Sequence, residues 1–68
     1  MKILTLTIVW HQTDVDVYVA KSLNGLVKAY GGGGDNDDIM DWLQSNPTIG
    51  SAIQSESEAY VVLDEHDL

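Results

Sequence analysis

The sequence predicts an α+β domain, with a three-stranded, mainly antiparallel sheet covered on one face by two or three short helices in the order ββααβ. Over residues 3–19, side chains alternate with a period of two and many are β-branched, which is typical of half-buried strands. Over residues 23–30 the apolar spacing changes to i, i+3, i+4, i+7, which indicates a helix. A chain of 68 residues is expected to form one domain with a thin hydrophobic core.

The first hairpin is predicted from strands over residues 2–11 and 14–21, joined by the polar break 11–14. Each strand has one strongly apolar parity, which we expect to face the core. These inward residues are Leu4, Leu6, Ile8 and Trp10 on the first strand and Val15, Val17 and Val19 on the second. The opposite parity of the second strand, which contains two aspartates and Tyr18, is expected to face outward.

Residues 22–30 are predicted to form the first helix. Its apolar stripe consists of Leu23, Leu26, Val27 and Tyr30. Ser22 stands where an N-cap is expected. Gly25 lowers the helix propensity by about 1 kcal/mol relative to alanine, and a third strand over residues 26–30 is therefore the alternative.

Four consecutive glycines at 31–34 are expected to end this helix and to act as a flexible joint. A second helix is predicted over residues 35–45, because acidic residues at its start complement the positive end of the helix dipole. Trp42 lies at the flank of its buried stripe. That stripe consists of Ile39, Met40 and Leu43.

The remaining elements are short. Proline at position 47 after Asn46 predicts a further helical turn over residues 47–53. A last strand is predicted over residues 59–63, and the charged tail 64–68 is expected to fray. The predicted core comprises Leu4, Leu6, Ile8, Trp10, Val15, Val17, Val19, Leu23, Leu26, Val27, Ile39, Met40, Leu43, Val61 and Leu63.

Charge is the strongest global property of the chain. Eleven acidic residues face three lysines, for a formal net charge of −8. Such a balance disfavours direct binding to nucleic acid and to anionic membranes, since both need clustered Lys or Arg. It favours attraction to basic protein surfaces, with solubility as the alternative explanation. Without cysteine, a signal peptide or a membrane-length apolar run, the protein is expected in the cytoplasm of a host cell.

Conventional sites find little support in the sequence. The glycine run is followed by aspartates instead of the Lys and Ser/Thr of a phosphate-binding loop. Position six counted from Asp35 is Met40, where a calcium loop needs glycine. Two histidines, His11 and His66, would converge with acids of the tail only if the last strand lay parallel to the first. We therefore predict no enzyme activity, no metal and no cofactor.

Two surface features remain as candidate protein-binding sites. The first is a set of acidic clusters with hydrophobic anchors, which resembles a row of phosphates presented to a basic groove. Its residues are Asp14, Asp16, Tyr18, Asp35, Asp37, Asp38, Asp41, Trp42, Glu56 and Glu58. The second is the outer sheet face, on which a homodimer is predicted to pair. Its residues are Val9, Tyr18, Tyr60 and Val62.

Three segments, residues 2–9, 11–19 and 58–68, give the chain an arrangement that resembles the small acidic proteins of phages and mobile elements. That class includes anti-CRISPR and anti-restriction inhibitors. The resemblance implies a phage protein that acts as a non-enzymatic inhibitor of a nucleic-acid-handling host-defence protein, such as a CRISPR effector, by DNA mimicry or steric block. A homodimeric phage accessory or structural protein is the alternative.

Overall fold

A computed structural model describes residues 1–10, 13–33, 37–55 and 59–68, and every structural statement below concerns these ranges. The fold is α+β, as the sequence predicts, but the sheet has four antiparallel strands and not three. Two helices supply buried residues to the same core as the sheet. The elements in chain order are β1 (Lys2–Trp10), β2 (Asp14–Ala20), α1 (Leu23–Gly33), α2 (Asp37–Gln44), β3 (Ala52–Gln54) and β4 (Tyr60–Asp67).

Strands β1 and β2 form the predicted hairpin, but the connection between them is shorter than the predicted polar break. Trp10 is paired with Asp14, and the Thr13 N–H donates to the Trp10 carbonyl at 3.0 Å. The loop is therefore three residues long, 11–13, whereas a four-residue break was predicted. A shift of one residue moves every side chain of a strand to the opposite face of the sheet.

The prediction that the β2 valines face the core is consequently wrong. Val15, Val17 and Val19 are 57%, 56% and 55% exposed. The other parity of β2 faces the helices instead, and Tyr18 packs edge-to-face on Tyr30 with ring centroids 5.3 Å apart.

Strand β4 lies beside β1 in the middle of the sheet, which has the order β2-β1-β4-β3. The two strands are antiparallel, with Leu6 opposite Leu63 and Ile8 opposite Val61. Pairing continues to Asp67 opposite Lys2, so the charged residues predicted to fray are mostly part of the strand. The backbones of the first and last residues also bond, because the Leu68 N–H donates to the Met1 carbonyl at 2.7 Å.

The segment predicted as a third helical turn contains β3 instead. The N–H of Gly50 donates to the Leu63 carbonyl at 2.8 Å, and the Leu63 N–H donates to the Ser51 carbonyl at 3.0 Å. These bonds attach the segment to β4. Gly50 has φ of 89°, a conformation that is costly for residues with a Cβ, so glycine here makes the turn into β3 and does not weaken a helix.

The segment predicted as the first helix is helical and forms α1. The alternative prediction of a strand over residues 26–30 is wrong. Ser22 caps it as predicted, since its Oγ accepts the Gly25 N–H at 3.1 Å. The helix ends at Gly33, within the glycine run that was predicted to end it. Gly25 allows a close approach to β2, because a Cβ added there would lie 2.9 Å from the Cβ of Ala20.

Replacing Gly25 with alanine is expected to lower the free energy of unfolding by about 1 kcal/mol, because crowding against Ala20 outweighs the gain in helix propensity. The matched control is Gly31→Ala in the same helix. A Cβ there would meet only the flexible end of Met40 at 3.3 Å, and this variant is expected to be neutral or slightly stabilised. Urea unfolding of both variants measures the difference. Equal stabilisation of the two would contradict the close approach.

The core lies between the helices and one face of the sheet. Most of the predicted core residues are buried or packed against it, apart from the β2 valines. Tyr30, which is 2% exposed, and Ala59, which is 0% exposed, belong to it although the predicted core omits both. The fully assembled core contains Leu4, Leu6, Ile8, Leu26, Tyr30, Ile39, Leu43, Ala59, Val61 and Leu63.

Candidate functional site

The first acidic group lies on α2. Asp37 and Asp41 are exposed and are four residues apart, so they lie one above the other on the same side of the helix. Asp38 is half-buried, and Trp42 is half-buried and packs against the core. The predicted anchor Trp42 is thus held by its packing on the core and keeps part of its surface exposed. Asp35 lies outside the described residues.

The second acidic group lies on β2, where Asp14 and Asp16 share the parity that faces the helices and are both exposed. Asp16 is fixed in place, because its Oδ2 accepts the indole N–H of Trp10 at 3.0 Å. The predicted anchor Tyr18 shares this parity but is half-buried against Tyr30. Tyr18 is therefore part of the packing between β2 and α1, on the face of β2 that also carries Asp14 and Asp16.

A third acidic group lies on β4, in the part of the chain that was predicted to be a charged, fraying tail. Asp64, Glu65 and Asp67 are all exposed. Glu65 lies 3.6 Å from the Lys2 ammonium, and Asp67 lies 3.6 Å from the N-terminal amine. Both ion pairs are exposed and hence weak. Glu56 and Glu58 lie outside the described residues.

The sheet face away from the helices forms a second candidate surface, which we call the open face. Antiparallel partners share a face, so the register assigns its members. They are Ile3, Thr5, Thr7, Val9, Val15, Val17, Val19, Ala52, Gln54, Tyr60, Val62, Asp64 and His66. Three of the four predicted dimer residues are present, Tyr18 is not, and the β2 valines are added. Asp64 supplies the one carboxylate among these positions.

The described residues offer few groups for chemistry. His66 lies opposite Ile3, at the end of β1 away from the hairpin, and His11 lies outside the described residues. Within the described ranges, no three His, Cys, Asp or Glu side chains are grouped to hold a metal. A cavity of about 300 Å³ between the helices has no ionisable lining residue. It is lined by Leu23, Asn24, Val27, Leu43, Gln44 and Asn46.

Searches of protein-family models, curated proteins and solved structures find no match to this chain. Neither described helix has the length and apolar character needed to cross a membrane. The functional assignment therefore depends on the two surfaces alone.

Proposed function

We propose that this protein is a non-enzymatic inhibitor that binds a basic surface of a nucleic-acid-handling protein. The observation that carries the proposal is the net charge of −8 combined with exposed aspartates on regular secondary structure. Asp14 and Asp16 are on a strand, and Asp37 and Asp41 are on a helix. Because these elements are packed on the core, the carboxylates keep fixed relative positions, as phosphates do on a duplex.

The strength of such binding has to come from several charges acting together. A single exposed ion pair contributes about 0–1 kcal/mol. A cluster of like charges contributes more binding free energy than the same charges far apart, because a basic groove that covers the cluster also relieves its internal repulsion. Trp42 and Trp10 lie next to the acidic positions and supply apolar area of the kind found in interface hot spots.

Within this class of partner, we propose a host-defence protein such as a CRISPR effector, with DNA mimicry or steric block as the mode of inhibition. The support for this narrower proposal is the resemblance to small acidic phage proteins. Effectors that handle nucleic acid hold it in positively charged channels, which is the surface that a carboxylate array fits.

The test is a pull-down from host lysate with the immobilised protein at about 0.05 M and about 0.5 M salt, concentrations between which the Debye length falls to less than half. Basic nucleic-acid-binding proteins should be retained at low salt and released at high salt. Duplex DNA added at low salt should release the same proteins, since it competes for the same surface. Failure to retain any such protein at low salt would contradict the proposal.

The second candidate function is a self-associating phage accessory or structural protein. The observation that favours it is the open face, where Val15, Val17 and Val19 are each more than half exposed and Tyr60 is 50% exposed. Val9 lies between Val15 and Tyr60 in the sheet, and exposed apolar side chains grouped in this way are typical of a protein interface. The face is also poor in charge on a strongly acidic molecule, so two copies can approach there with the least repulsion.

A further inference from the structure

The strand that carries these valines is also an edge of the sheet. β2 is paired with β1 along one side, and it ends the sheet order on its other side. It has seven residues and no proline. An edge strand of this length leaves a row of backbone N–H and C=O groups on which another strand can pair.

The sequence of β2 is Asp-Val-Asp-Val-Tyr-Val-Ala. When two copies of this strand are aligned antiparallel, valines lie opposite valines and each aspartate lies opposite an uncharged residue. We propose that two copies of the chain pair antiparallel through β2, with the two-fold axis at Val17. In this register Val17 lies opposite Val17 of the second copy, and Val15 lies opposite Val19. The proposal deepens the second candidate function, since it rests on self-association and specifies how the copies meet.

The acidic residues exclude the registers shifted toward the N-terminus, and a shift toward the C-terminus leaves part of this seven-residue strand unpaired. With the axis at Val17, Asp14 lies opposite Ala20 and Asp16 lies opposite Tyr18 of the other copy, so no acid faces an acid. A shift of the axis by one residue toward the N-terminus places Asp16 opposite Asp16, and a shift by two places Asp14 opposite Asp16. Like charges directly opposite each other destabilise a strand pair.

The second copy is the occupant because a closed two-fold interface requires one surface to complement itself, as β2 does. In this arrangement the open faces of both copies join into one continuous eight-stranded sheet surface. The valines of the two β2 strands form a ladder at its centre, where β-branched cross-strand neighbours are favourable. The helices of both copies lie on the other side.

The test is interchain disulfide formation. Because the chain has no cysteine, every disulfide has to form between the introduced thiols. Val17→Cys places the new thiols opposite each other on the axis. Val15→Cys alone places them about 13 Å apart along the strands, beyond the roughly 7 Å between Cα atoms that a disulfide spans. We expect Val17→Cys to crosslink at least about fivefold more than Val15→Cys, since only the former satisfies that distance.

Two further samples separate edge pairing from stacking of the open faces. Differently tagged Val15→Cys and Val19→Cys chains, when mixed, should form a mixed crosslinked dimer. Tyr60→Cys lies on β4, and its two thiols would be about 24 Å apart across the paired edges, so it should not crosslink. Crosslinking of Tyr60→Cys without that of Val17→Cys, or equal crosslinking of Val15→Cys and Val17→Cys, would overturn the proposal.

Analytical sedimentation of the wild type distinguishes failure of the register from failure of self-association. A dimer that strengthens between about 0.05 M and 0.5 M salt is expected, because salt screens the repulsion between two acidic copies. A dimer without the expected crosslinks would overturn the β2 register and leave self-association intact. A monomer at all salt concentrations would overturn both. Binding to a basic partner is expected to weaken as salt rises, so the pull-down tests that proposal independently of the dimer.

Discussion

Replacing Leu6 with alanine is expected to lower the free energy of unfolding by about 3 kcal/mol, as measured by urea unfolding followed by circular dichroism. Leu6 is 0% exposed and lies on central strand β1, between Tyr18 of β2 and Leu63 of β4. Its removal leaves a cavity where three strands meet. For a domain of this length the total stability is roughly 3–10 kcal/mol, so the variant should be close to unfolding at 25 °C.

The matched control is Val17→Ala on β2, a position that the sequence pattern also assigned to the core. Because Val17 is 56% exposed, truncation there should cost less than about 0.5–1 kcal/mol. A cost at Val17 equal to that at Leu6 would show that β2 has its valines inward, and the register given above would then be wrong.

The double variant Asp37→Asn, Asp41→Asn is expected to weaken low-salt binding to a basic partner recovered in the pull-down by at least about fivefold, since each lost charge removes up to about 1 kcal/mol. The difference from wild type should shrink at about 0.5 M salt, where exposed charges are screened. Both side chains are exposed on the same side of α2. Titration with the purified partner at both salt concentrations measures the effect.

The control for this variant removes the same number of charges elsewhere. Asp64→Asn, Asp67→Asn acts on exposed residues of β4 and gives the same net charge. Equal loss of affinity in both variants would mean that net charge acts without a defined site, and α2 would no longer be the contact. Circular dichroism confirms folding, because Asp37 also stabilises the first turn of α2.

Local signals in the sequence were sufficient to predict much of the fold. The alternation on β1 identifies Leu4, Leu6 and Ile8, all of which are buried. The helical spacing after Ser22 identifies α1, together with its N-cap. In both segments periodicity, capping and burial agree, and agreement between levels is what makes a local pattern reliable.

The orientation of β2 could not be predicted from its own sequence. Its valines are the more apolar parity, yet the length of the hairpin loop decides which parity faces the core. The difference between a three-residue and a four-residue loop changes the face of Tyr18 and of every valine. The direction of β4 and the presence of β3 were likewise undetermined, because they depend on pairing between residues that are distant in the chain.

The candidate surfaces could likewise be predicted only where local sequence determines them. The acidic residues of α2 were identified from sequence, because a charged first turn is a local property. Tyr18 was assigned to both surfaces, but the hairpin register places it away from the open face, on the side of β2 that carries Asp14 and Asp16. The acids of β4 were expected on a frayed tail, because only pairing with β1 shows that Asp64 and Asp67 lie on a strand.

The adjacency of β1 and β4 has a consequence for how the protein folds. The middle of the sheet is formed by strands near opposite ends of the sequence, with Leu6 opposite Leu63. Contacts of such high sequence separation make folding slow, because a long loop must close before they form. On the ribosome, the apolar side of β1 stays uncovered by its main partner until β4 has been synthesised, and this interval is when the chain is most prone to aggregate.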